Sequence, residues 1–119
     1  MAVIFVAKRS LLVLRGEIDK EALPRLKAGL WRLLRRRPSW LLVDLSQVTF
    51  IGSPGLAVLI QARQYIQAYG GRLALFGLRE AVRTVFHLAR LDLVFRIFPD
   101  QEAAARAVEA VPLGGNGSS

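Results

Sequence analysis

Residues 41–60 read LLVDLSQVTFIGSPGLAVLI, and this stretch decides the fold. Its first part is a continuous apolar run broken only by Asp44, which predicts a short strand over residues 40–45 covered on both faces, as in a sheet flanked by helices. A turn follows that ends in Gly52-Ser53-Pro54-Gly55. Leu56, Leu59, Ile60, Arg63 and Ile66 then recur at helical spacing, which predicts a helix over about residues 54–69. Ser53 fits its N-cap and Pro54 its first helical position, where the missing N–H costs nothing. A helix start of this kind carries free backbone N–H groups and the positive end of the dipole. It can bind an anion, host a regulatory phosphate or serve as a small docking surface.

Working outward, residues 2–7 and 11–15 are β-rich apolar runs separated by Lys8-Arg9-Ser10, short enough for a hairpin, with Gly16 closing the second strand. Leu23, Leu26, Leu30, Leu33 and Leu34 form one face of a first helix. Asp19 sits at its entrance, Pro24 fits its first turn, and Pro38 ends it. Gly70-Gly71 stops the second helix, and residues 72–77 form the next strand. A third helix is expected over about residues 79–88, a strand over 93–98 and a last helix over 100–111, whose Ala-rich middle favours helix. Pro112 stops it, and the glycine- and serine-rich residues 113–119 read as a disordered tail. The expectation is an α/β domain over residues 1–111. A single mixed β-sheet of about five strands carries four helices, in the order β-β-α-β-α-β-α-β-α.

A chain of 119 residues with 53% apolar content suits one core of ordinary size. It has no cysteine and one histidine, His87, so thiolate or zinc sites and disulfides are not expected. No cofactor is expected either. No apolar run approaches the ~20 residues of a membrane span, and the N-terminal run is interrupted by Lys8 and Arg9, so a cytoplasmic protein is expected. The net charge of +8 concentrates over residues 25–37, with Arg25, Lys27, Arg32, Arg35 and Arg36 and no acid. This reads first as a solvated helix face, since no pattern of interleaved aromatics accompanies it. Nucleic acid or an anionic membrane is the competing partner, and salt-sensitive binding would reveal it.

Four stretches together resemble the STAS domain, the family of bacterial anti-sigma factor antagonists and related modules. They are Leu14-x-Gly16-x-Ile18-Asp19, Val43-Asp44-Leu45-Ser46-x-Val48-x-Phe50-Ile51, Gly70-Gly71-x-Leu73-x-Leu75, and the spacing of Val82, Phe86, Leu91, Phe95, Ile97 and Phe98. They occur in the family's order and cover the chain to about Val111. The resemblance implies a non-enzymatic module that docks onto an anti-sigma factor, itself a serine kinase, and so releases a sigma factor. It also implies that the functional centre is a loop reading Asp-Ser-Ser-Gly or Asp-Ser-Thr-Gly, modified on the second hydroxyl. Here the matching tetrapeptide is Gly52-Ser53-Pro54-Gly55, so Pro54 stands at the phosphoacceptor position and Gly52 replaces the acid. Phosphorylation at the usual atom is thereby excluded, and Ser53 is the weaker alternative acceptor.

The expected contact surface is Gly52, Ser53, Pro54, Gly55 and Leu56, with Arg63 further along the helix and Asp19 on the border. Pro54 would pre-order it and lower the entropy lost on binding. The rival within the fold is an adaptor in a stressosome-type assembly or in a lipid transporter, partnered by other STAS or transporter subunits. Asp19 and Asp44 could be read as an acid/base pair, but no nucleophile or oxyanion donor accompanies them. Trp31 falls near the apolar stripe of the first helix, so packing is expected of it and not base stacking.

Overall fold

The computed structural model describes residues 2–6 and 9–110, with side chains described from Ser10 to Val108. The expected tail, Ala7 of the expected first strand and Lys8 of the expected turn lie outside them. The strands are β1 (Ala2–Val6), β2 (Arg9–Ile18), β3 (Trp40–Ile51), β4 (Arg72–Phe76) and β5 (Arg96–Phe98). The helices are α1 (Leu23–Leu34), α2 (Ser53–Ala68), α3 (Glu80–Leu88) and α4 (Gln101–Ala110). In space the strands follow chain order. Four of them, β2 to β5, run parallel, and β1 lies antiparallel on β2 at one edge. The α/β class and the four helices agree with the expected order of elements.

β3 is central and buries both of its faces. Leu41, Val43 and Leu45 point into a core shared with Leu26, Leu30 and Leu33 of α1, Leu59, Ala62 and Ile66 of α2, and Val82 and Phe86 of α3. Trp40 and Leu42 point the other way, into a smaller cluster with Ala74 and Phe76 of β4 and Ala104 and Val108 of α4. Three helices therefore cover one face and α4 the other. The two-step alternation along a strand lets one apolar run serve both layers.

Three boundaries differ from expectation. Gly16 does not close β2: it takes φ +76°, a register shift follows it, and the strand continues to Ile18. β3 likewise runs on to Ile51, because Gln47, Val48, Phe50 and Ile51 still pair with Arg15, Gly16, Glu17 and Ile18. Asp44 therefore lies within the strand, its carboxylate accepting from the Ser46 N–H at 2.8 Å. β5 is shorter than the expected 93–98. Arg90 takes a left-handed conformation (φ 62°), and a 3-10 turn over Leu91–Leu93 brings the Val94 and Phe95 N–H groups back to the Leu91 carbonyl.

α1 begins after a 3-10 turn, Lys20–Ala22, capped by Asp19, whose Oδ1 accepts from the Glu21 and Ala22 N–H groups at 3.1 Å. Arg25, Lys27 and Arg32 on α1 and Arg35 and Arg36 just beyond its end are exposed, and Trp31 is half-buried edge-on to Tyr65 with ring centroids 5.3 Å apart. The Tyr69 hydroxyl, at the end of α2, donates to the Pro38 carbonyl at 2.8 Å. Burial pushes its pKa up to about 12, against a smaller opposing pull from Arg37, whose guanidinium stands 4.5 Å from the ring centre. The folded chain thus holds this proton more tightly than the unfolded chain, where tyrosine titrates near 10. The stabilising contribution is complete below about pH 10 and declines as the pH rises toward 12. Denaturation followed against pH should show this alkaline loss, and Tyr69→Phe should remove most of it.

Candidate docking corner at the start of the second helix

β2 and β3 end side by side, Ile18 opposite Ile51, and the Gly52 N–H donates to the Ile18 carbonyl at 3.0 Å. That bond sets the chain's exit from the sheet and brings Asp19 beside the start of α2. Gly52, not Ser53, is the N-cap: it is extended (φ −93°, ψ 171°) and its carbonyl accepts the first helical bond, from Leu56 N–H at 3.1 Å. Ser53 is already helical and Pro54 follows inside the first turn. Having no side chain, Gly52 cannot cap the helix itself, and no side-chain cap bond forms. A Ser-Pro pair looks like cap and first residue in sequence; the Ile18–Gly52 bond moves the start one residue earlier.

Gly55 faces inward. A Cβ there would lie 2.9 Å from Ile18 Cγ2 and 3.0 Å from Ile51 Cγ1, so the bare backbone lets α2 approach the two strand ends. Gly55→Ala should cost about 1–3 kcal/mol through overpacking, read from the midpoint of a urea melt. Leu56 also turns into the core and is only 7% exposed, so it holds the helix down and offers no contact surface. Arg63 lies ten positions beyond Ser53, about 15 Å along the helix, and half-buried. The corner therefore joins Asp19, Gly52, Ser53 and Pro54, with Gly55 and Leu56 beneath it and Arg63 apart.

Phe50 is the residue that sequence reasoning missed. Its side chain is 48% exposed, and its ring edge lies 3.5 Å from where a Cβ on Gly52 would stand, with Pro54 Cδ at 3.6 Å on the same site. Phe50, Gly52 and Pro54 make one apolar surface, edged by exposed Ser53 and Ala57, by the half-buried Asp19 and by exposed Glu17, the register partner of Phe50 on β2. Strict alternation from Val48 puts Phe50 inward. The shift that pairs Gly16 with Val48 and Glu17 with Phe50 leaves Val48 and Ile51 buried and turns Thr49 and Phe50 out.

The remaining candidates have local structural roles. The Asp19 carboxylate is held by two backbone N–H groups of the turn that it caps, and that of Asp44 by the Ser46 N–H along its own strand. His87 is exposed, with Nδ1 2.9 Å from Asp92 Oδ2, and this hydrogen bond is the main reason that the Asp92 carboxyl sits below its ordinary range. No helix among the described residues is long and apolar enough to cross a membrane.

A short parallel sheet with one antiparallel edge, helices on both faces and a glycine-rich turn leading from β3 into α2 defines a STAS domain. The family's model matches residues 6–104, and the chain belongs to that family. It is 33% identical over 92 residues to the anti-sigma-F factor antagonist RsfB of Mycobacterium tuberculosis, spanning 75% of this chain and 72% of that protein. It is 29% identical over 82 residues to the anti-sigma-B factor antagonist of Listeria monocytogenes, spanning 69% of this chain and 72% of that one. The crystal structure of an anti-sigma factor antagonist from Mycobacterium paratuberculosis superposes with a TM-score of 0.83 at 30% identity, over 91% of this chain and 92% of that one.

Proposed function

We propose that this STAS domain is a non-enzymatic anti-sigma factor antagonist. It docks through the Phe50–Pro54 corner onto an anti-sigma factor of the serine-kinase type and so frees a sigma factor. The observation that carries this reading is the exposed aromatic ring packed over a rigid, uncharged helix start. The relatives' roles and their matching lengths support it. An apolar surface held by a strand end and a proline-containing first turn loses little entropy on binding.

Pro54 also separates docking from the usual switch. A phosphate at this corner would add about −1.5 to −2 charge to the contact. Pro54 has no oxygen to carry it, so the domain stays competent to bind. Ser53 is exposed one position earlier, its side chain turned about 100° around the helix axis from that of Pro54.

The test uses the anti-sigma factor encoded nearest this gene, with its sigma factor. Adding the domain should release the sigma factor in a competition assay. Incubation with the same factor and ATP should leave the domain's intact mass unchanged. Absence of any complex would overturn the antagonist reading, whereas a mass gain of one phosphate on Ser53 would overturn the unmodified state alone.

A further inference from the structure

We propose that α4 is a latch: it lifts from the sheet as a unit while the other three helices stay seated, and bares an apolar strip of β3 and β4. Among its side chains, described to Val108, only Ala104 and Val108 are buried, and both are small. α1 by contrast buries four leucines, and α2 buries Leu56, Val58, Leu59 and Ile66. α3 is shorter still, but the enclosed ring of Phe86 holds it. Ala103, Ala105 and Ala107 beside the contact are half-buried, so α4 rests on the sheet by methyl groups and one valine. Its polar interactions among the described side chains stay within its own turns: Asp100 accepts from the Ala103 N–H at 2.8 Å, and Arg106 meets Glu102 at 3.6 Å. None reaches across to the sheet. A helix of ten residues is shorter than the ~12–15 that persist alone, so α4 melts once it is unseated.

Beneath α4, Trp40 is wholly buried in one cluster with Leu42, Ala74 and Phe76, and its indole N–H has no acceptor among the described residues. Arg72, its register partner on β4, sets a guanidinium 5.8 Å from the ring centroid and so brings further donors and no acceptor. A donor shut away from water without a partner costs free energy. Seating α4 therefore strands this N–H while covering only two small side chains of its own, and lifting α4 returns the N–H to water. Cost and small gain fall on the same helix, which sets its opening below the unfolding of the whole domain. The open state presents Trp40, Leu42, Ala74 and Phe76 as an apolar strip that the closed latch hides. This strip lies on the face of the sheet away from α2, so opening leaves the Phe50 corner intact, and neither reading rests on the other.

Hydrogen exchange on the unaltered chain reads the latch directly. The Trp40 indole proton and the amides of residues 104–108 should exchange through one shared opening, populated at least about a hundredfold more than the opening that frees the Val43 and Leu75 amides. Its dependence on urea should be shallow, because lifting one helix exposes little surface. A matched pair of thiols tests the same opening by different chemistry. The chain has no cysteine, and Ala74 under α4 and Ala62 in the core on the other face are both 0% exposed. In native buffer Ala74→Cys should react with dithiobis(nitrobenzoate) at least about fiftyfold faster than Ala62→Cys, with urea melts confirming that both variants fold. Equal rates at the two thiols overturn the proposal, as does a urea dependence as steep for the Trp40 proton as for the Val43 amide; either means that the strip opens only with the whole domain. A graded rise in exchange from Ala104 to Ala110, with the Trp40 proton held at the level of β3, is fraying from the helix end and overturns it equally.

Discussion

Phe50→Asp should weaken the complex with an anti-sigma factor about a hundredfold or more while leaving the fold in place. Aromatic side chains at the centre of a contact commonly account for more than 2 kcal/mol of binding, and a hundredfold corresponds to about 2.7 kcal/mol. Aspartate removes the ring and puts a further carboxylate in the middle of the apolar surface that Asp19 and Glu17 only border, so the partner must desolvate a charge that nothing across the contact is expected to pair. Half the Phe50 side chain already meets water, so folding stability should change by about 1 kcal/mol or less. Phe50→Leu should recover much of the affinity, because it restores apolar area without the ring. Titration calorimetry of the purified pair, with urea melts of each variant, reads both quantities. A Phe50→Asp domain that binds normally would move the contact surface off this corner.

The parts of the fold that follow a simple period were readable from the residues alone. Leu26, Leu30, Leu33 and Leu34 keep one helical face and all are buried, and Leu41 to Leu45 alternate between two cores as a doubly covered strand must. The last helix, expected from residue 100, begins there too: the Asp100 carboxylate accepts from the Ala103 N–H at 2.8 Å just before α4. The misread places are those where a non-local partner overrides local pattern. Gly16 looked like a strand end because glycine with positive φ commonly ends strands, yet β3 supplied partners on its far side.

The same override hid half of the corner. A bond between Ile18 and Gly52 shifted the helix start, and a register shift beside Gly16 turned Phe50 outward; both depend on which strand lies next to which. The tetrapeptide itself was visible, and so was the absence of a hydroxyl at Pro54, since these are matters of residue identity. That Leu56 anchors the helix inside was not visible, because a helical stripe fixes relative phase and leaves the absolute direction to the packing. Arg63 shows the limit most plainly. It shares a helix with Ser53, and about ten residues of rise carry it to a different surface.

Phe86→Ala should be the most damaging single truncation in α3, costing about 3–5 kcal/mol. α3 has nine residues, too few to persist without packing, and Val82 and Phe86 are the two that it buries fully. The Phe86 ring is wholly enclosed and meets Phe95 edge-on, with centroids 5.8 Å apart at 73°. Removing it takes away the transfer energy, the ring pair and the inner wall on which Phe95 rests, and leaves a cavity that a β-sheet on one side keeps from collapsing. For a domain of this size the loss should lower the melting temperature by about 12–20 °C. Phe86→Leu should cost about half as much, since most of the volume returns. Because Phe95 ends the turn that raises Leu93, the truncation should also loosen that turn, and amide exchange at Val94 and Phe95 should rise more than exchange in β3. A loss below about 1 kcal/mol would mean that α3 is held to the sheet by something other than this ring.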